Sequence, residues 1–104
     1  MEIGRERRPN ATVLRLTGEL DLATAPDVLA AVEAATGDGT SRLVLDMSGV
    51  SFIDSTGVRT LLEANRVAGN DLSLLAPSPA VTRVLELTEL RGHLHEIADL
   101  DAVS

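Results

Sequence analysis

The chain contains no cysteine, which excludes disulfides, thiol catalysis and thiolate metal sites and fits a reducing compartment. Tryptophan and tyrosine are also absent, and Phe52 is the sole aromatic residue, so there is no platform for stacking bases or sugars. Lysine is missing too: all nine basic residues are arginine, against 16 acidic ones, for a formal net charge of −7. The densest basic cluster, Arg5, Arg7 and Arg8, has Glu2 and Glu6 beside it, so the basic stripe that nucleic acid requires is lacking. A basic protein surface is the more natural partner, although solubility alone accounts for such a charge. Long apolar runs do not occur, and Met1-Glu2-Ile3-Gly4-Arg5 lacks the apolar core of a signal peptide. The expectation is a soluble, cytoplasmic protein with no membrane insertion. What is present, 104 residues of which 44% are hydrophobic, suits one domain over residues 1–104. Such a domain buries about two-thirds of its unfolded surface.

Hydrophobic periodicity divides the chain into strands and helices. Residues 2–8 form a weak edge strand, Pro9-Asn10 a turn and residues 12–16 a better strand, which predicts an opening hairpin. Thr24-Ala25-Pro26-Asp27 announces a helix, with Thr24 as cap, Pro26 in the first turn and Asp27 as the acid of a capping box. Val28, Leu29, Val32 and Ala35 are its apolar stripe, and Gly37-Asp38-Gly39 ends it. Residues 42–47 read as a strand with Leu43, Leu45 and Met47 on one face. The other face carries Arg42, Val44 and Asp46 and is expected to be partly solvated. After Gly69-Asn70-Asp71, residues 72–75 are another strand. Ser78-Pro79 then opens a helix with Val81, Val84, Leu85 and, at its end, Leu87 inward. Leu94-His95-Glu96-Ile97 is a last short strand, followed by a short helix over residues 100–103. The order β-β-α-β-α-β-α-β predicts an α/β fold: a mixed, mostly parallel sheet after an N-terminal hairpin, with helices mainly on one face.

The segment Asp54-Ser55-Thr56-Gly57 stands where the apolar run Val50-Ser51-Phe52-Ile53 gives way to a helix marked by Val58, Leu61, Leu62 and Val67. A helix beginning at or just after Ser55 offers unpaired N–H groups and the positive end of its dipole to an anion held on that hydroxyl. Ser55 is therefore a candidate phosphoacceptor. The same pattern also serves as an ordinary N-cap by Asp54 or Ser55, which is its commoner use. An aspartic-protease triplet does not fit, because the glycine lies one place too far from the aspartate and no second triplet exists. A hydrolase triad of Ser55, Asp46 and His93 or His95 would lack Gly-x-Ser-x-Gly around the serine. The two histidines share a strand face, yet no further ligands cluster near them in sequence, so no metal and no cofactor are assigned. The protein is expected not to be an enzyme.

These segments, in this order and spacing, resemble the STAS-domain anti-sigma factor antagonists of bacteria over nearly the whole chain. Leu16-Thr17-Gly18-Glu19-Leu20-Asp21 looks like the family's Gly-Glu-Leu-Asp segment. Leu43-Val44-Leu45-Asp46-Met47 and the run from Val50 through Asp54-Ser55-Thr56-Gly57 to Val58 resemble its central strand and phosphorylation loop. The stretch from Leu74 to Ala80, with Pro77-Ser78-Pro79, is similar to its fourth strand and the helix start that follows. The resemblance implies a STAS-like domain that works by partner switching in stress-response transcription. In that scheme the unphosphorylated protein binds an anti-sigma factor that is also a serine kinase with a GHKL-type ATP site, which frees the sigma factor. The kinase phosphorylates the serine directly after the aspartate, here Ser55, and a PPM-type phosphatase restores the binding form. Thr56 matches a position not usually modified. The partner-binding face implied is Glu19, Asp21, Asp54, Ser55, Thr56, Gly57 and Arg59, where Arg59 replaces the small residue of many members. Other STAS roles are alternatives: a non-switching scaffold in a sensory complex, or the small subunit of a lipid-transport ATPase.

Overall fold

The computed structural model describes residues 1–37, 42–88 and 94–100. Along them run β1 (Glu2–Arg8), β2 (Ala11–Leu20), α1 (Ala25–Gly37), β3 (Leu43–Ile53), α2 (Ser55–Val67), β4 (Leu72–Leu75), α3 (Pro79–Leu87) and β5 (His95–Ile97), the predicted order. A two-residue turn at Pro9-Asn10 makes β1 and β2 antiparallel. Each later strand is reached through a helix, so β2 to β5 are mutually parallel, and the sheet order follows the chain, β1-β2-β3-β4-β5.

All three helices pack on one face. Val28, Val32 and Ala35 of α1, Val58, Leu61 and Ala64 of α2, and Val81 and Leu85 of α3 close over Leu14, Leu16, Leu45, Met47 and Leu74. Leu87, expected inward, is 74% exposed. It lies two residues beyond Leu85, about 200° around the helix, and so faces solvent. His93, Asp38 and Gly39, and residues 101–103 of the helix expected over residues 100–103, lie outside the described residues.

The strand β3 is longer than its clearest sequence signal, because residues 50–53 continue it. Strict alternation fails along it: the residues facing the helices are Leu43, Leu45 and Met47, then Val50 and Ile53. The register against β2 explains why. Arg15 faces Asp46 but Thr17 faces Gly49, and Gly18 faces Val50 but Glu19 faces Phe52. At each step β3 carries one residue more than β2, a bulge that resets which face its side chains take.

The first bulge is held by Asp46. Its Oδ1 accepts hydrogen bonds from the Ser48 amide at 3.0 Å and the Ser48 hydroxyl at 2.7 Å, while Arg15 Nε donates to Oδ2 at 3.2 Å. The face expected to be solvated is therefore covered here: Asp46 is only 8% exposed. Val44 joins Ala11, Val13, Leu75 and Ile97 in a second small cluster, with Leu100 packed against it. A paired carboxylate can occupy a buried position that an unpaired one cannot.

Burial is the largest single influence on Asp46 and opposes its ionisation. The hydroxyl and amide of Ser48 and the guanidinium of Arg15 together outweigh it, so its pKa falls below the ordinary 3.8. A depressed folded-state pKa means that ionised Asp46 stabilises the fold above the unfolded value, and that this contribution is lost as pH falls through the folded one. Asp46→Ala should cost about 1–3 kcal/mol in denaturant unfolding at neutral pH. The cost should shrink as pH is lowered below 3.8; the same cost at every pH would show that the charge is irrelevant.

Candidate functional site

The parallel strands β2 and β3 end together, since Leu20 pairs with Ile53. Asp21 and Asp54 consequently leave the sheet side by side at its carboxyl edge, where α/β folds place their sites. Asp54 is extended (φ −117°, ψ −170°), and its Oδ1 accepts a hydrogen bond from the Gly57 amide at 2.9 Å, so the N-cap of α2 is Asp54. Ser55 is then the first helical residue. Its side chain is exposed, and among the described residues no hydrogen bond engages its hydroxyl. Thr56 is half-buried, and its carbonyl accepts from the Thr60 hydroxyl at 2.8 Å. The cap and the candidate phosphoacceptor are thus different residues.

Gly57 explains how α2 can start so close to the sheet. A Cβ at this position would lie 2.5 Å from Ile53 Cγ1 and 2.6 Å from the Leu20 carbonyl oxygen. Only a residue without a side chain lets the first turn rest on the end of β2. This contact draws Glu19, Asp21, Asp54, Ser55, Thr56 and Gly57 to one edge, and Arg59 stands exposed one turn further along α2.

Asp21 also has a local task. Its Oδ1 accepts from the amides of Ala23 at 3.0 Å and Thr24 at 3.2 Å, and its carbonyl accepts from Ala25 at 2.9 Å. The expected cap, Thr24, points the other way: its hydroxyl donates to the Glu19 carbonyl at 2.8 Å and accepts from the Asp21 amide at 3.0 Å. The turn into α1 is therefore built on Asp21, and Thr24 ties that turn back to β2.

Two exposed apolar side chains also stand at this edge. Leu22 is 75% exposed, and Phe52, the register partner of Glu19, is 47% exposed. Phe52 reads from sequence as one more residue of a β-prone run. The second bulge of β3 turns it away from the helices, and its being the sole aromatic was the only available signal. Apolar anchors within a charged rim are the usual composition of a protein-binding face.

With His95, the histidine among the described residues, the hydrolase triad is not assembled. His95 pairs with Ser73, and Ser73 with Val44, at the amino end of the parallel strands. Ser55 follows the carboxyl end of β3, roughly 25 Å away at about 3.3 Å per residue. Asp46 is already engaged by Arg15 and Ser48. Among the described residues no group of three or more His, Asp or Glu side chains is placed to hold a metal ion.

Replacing the cap tests this geometry. Asp54→Ala should destabilise the protein by about 1 kcal/mol, seen as a lower Tm, and Asp54→Asn should recover most of it. Equal melting of all three proteins would remove Asp54 as the cap.

Residues 3–97 match the family model described as "Mlab, STAS domain". The chain is 33% identical over 96 residues to the anti-sigma F factor antagonist of Lysinibacillus sphaericus, a match covering 88% of this chain and 81% of that protein. The crystal structure of an anti-sigma factor antagonist from Mycobacterium paratuberculosis aligns with a TM-score of 0.85 at 29% identity, covering 98% of this chain and 89% of that one. The anti-sigma factor antagonist SpoIIAA in its unphosphorylated form aligns at 0.77 with 25% identity, covering 98% and 93%. The Bacillus cell fate determinant SpoIIAA in its phosphorylated form aligns at 0.69 with 25% identity, covering 98% and 96%.

Proposed function

The chain belongs to the STAS domain family, and from that premise we propose that it is an anti-sigma factor antagonist switched by phosphorylation of Ser55. The observation that carries this reading is the exposed Ser55 hydroxyl at the first position of a helix capped by its neighbour Asp54, beside the ends of β2 and β3. Being outside the cap, the hydroxyl is open to a kinase without unravelling the helix. The existence of phosphorylated and unphosphorylated forms of the similar SpoIIAA supports a switch of this kind.

In the proposed cycle the unphosphorylated edge, with Glu19, Asp21, Leu22, Phe52, Ser55 and Arg59, binds an anti-sigma factor and so releases a sigma factor. That partner, acting as a GHKL-type serine kinase, transfers the γ-phosphoryl group of ATP to Ser55 Oγ, whose proton passes to a base on the kinase. A PPM-type phosphatase hydrolyses the ester and restores binding. The protein itself supplies no catalytic group.

Incubation with candidate anti-sigma kinases and ATP, followed by mapping of the modified residue, tests the proposal. One phosphate on Ser55 is expected, and Ser55→Ala should bind the partner but remain unmodified. Phosphate on Thr56, or on the alanine variant, overturns the assignment.

A second reading keeps the fold and drops the switch: a STAS scaffold, or the small subunit of a lipid-transport ATPase. The match of residues 3–97 to the family model described as "Mlab, STAS domain" favours it. Co-purification with transporter proteins, with no phosphate acquired from any anti-sigma kinase, would select this reading.

A further inference from the structure

Arg59 has an unusual position for a cation in this acidic protein. It lies four residues after Ser55 on α2, so the two side chains share one helix face. Helical side chains lean toward the N-terminus, which directs the Arg59 guanidinium back over the first turn and toward Ser55. Arg59 is exposed, and among the described residues it has no ion pair. The acid four residues further on, Glu63, would be its natural partner, but Glu63 is already held by Arg66 through two hydrogen bonds. At the neighbouring edge the carboxylate of Asp54 is turned onto the Gly57 amide, and that of Asp21 onto the amides of Ala23 and Thr24. Glu19 is exposed on β2 and makes no ion pair among the described residues.

We propose that Arg59 is the internal counter-cation of phosphorylated Ser55, so that modification both adds a dianion to the binding edge and withdraws its arginine from the partner. This rests on the reading of Ser55 as the switch residue. An acidic group N-terminal to a basic one at i, i+4 is the favourable orientation on a helix, and a phosphate offers three acceptor oxygens to the planar guanidinium fork. Before modification, the same guanidinium is available to an acidic group on the anti-sigma factor. Afterwards a partner must either break the internal pair or accept the phosphate with it.

The test needs no kinase. Phosphoserine is installed at position 55 during translation, and its second ionisation is followed by ³¹P NMR in the parent and in Arg59→Gln. Loss of the counter-cation should raise the phosphate pKa by about 0.2–0.7 of a unit, the size expected of an exposed charge pair. The difference should largely disappear near 1 M salt. Arg59→Lys should keep part of the shift, and Arg8→Gln, at the opposite end of the sheet beside Ala11, should leave the titration unchanged. Coincident titrations of the parent and Arg59→Gln, or equal shifts from Arg59→Gln and Arg8→Gln, would overturn the pairing. Because the phosphate is installed directly, failure of any kinase to modify Ser55 counts against the switch alone, and a null titration counts against the pairing alone.

Discussion

Phosphorylation of Ser55 is expected to weaken binding of the anti-sigma factor by a hundredfold or more while barely moving the melting temperature. The two effects differ in size because they draw on different surroundings. In the free protein the phosphate is exposed. There it gains from the N-terminus of α2 about 0.3–1 kcal/mol, gains a few tenths more from a cation at i+4, and loses a similar amount to nearby acids. Asp54 is the nearest of those acids and already occupies the Gly57 amide, so the phosphate must compete for the remaining amides. The net should stay below about 1 kcal/mol, and the Tm should move by no more than ~4–8 °C. In the complex, by contrast, the dianion would be removed from water against a surface fitted to a hydroxyl. An uncompensated buried charge costs about 3–5 kcal/mol, which corresponds to a loss of affinity on the order of 10²–10³ or more. Calorimetric titration and thermal melts of the two forms measure both quantities. A phosphoprotein that is partly unfolded, or that binds as tightly as before, would refute an interface mechanism.

Gly57→Ala should be among the most damaging single-methyl additions in the chain. The new Cβ would meet Ile53 Cγ1 at 2.5 Å and the Leu20 carbonyl oxygen at 2.6 Å, and the second of these is backbone that cannot swing aside. Either α2 lifts from the end of β2 or the ends of β2 and β3 separate, at a cost of about 2–3 kcal/mol. For a domain of this size that lowers the Tm by roughly 10 °C or more. Either movement also displaces Ser55 relative to Asp21 and Glu19, so modification by a cognate kinase should slow as well. Gly37→Ala is the control, because nothing lies within 4 Å of a Cβ at the end of α1. That variant should melt at the parent temperature or slightly above, since alanine is the better helix former. If Gly57→Ala melts with it, the close seat of α2 on β2 is wrong.

The element order and the start of α2 were determined by the sequence alone because both depend on neighbours within a few residues. Ser78 before Pro79 announced α3 in the same way, and Ser78 does accept the Val81 amide. The opening hairpin followed from one turn and two short apolar alternations. Thr24 marks the limit of such reasoning: as a local pattern it is a good cap, but its hydroxyl oxygen accepts from the Asp21 amide instead of a helix amide, and its proton goes to the Glu19 carbonyl at the end of β2. Tertiary structure alone decided the two bulges of β3, because a bulge is a mismatch between two strands and exists only once β2 lies beside β3. The outward turn of Phe52 and the inward positions of Val50 and Ile53 depend on those bulges, and the pairing of Asp46 with Arg15 on the register that precedes them. The same is true of Gly57, whose need for a missing side chain comes from a carbonyl on a strand more than thirty residues earlier in the chain. Periodicity and caps are written in adjacent residues; register and close approach are set by what the folded chain brings against them.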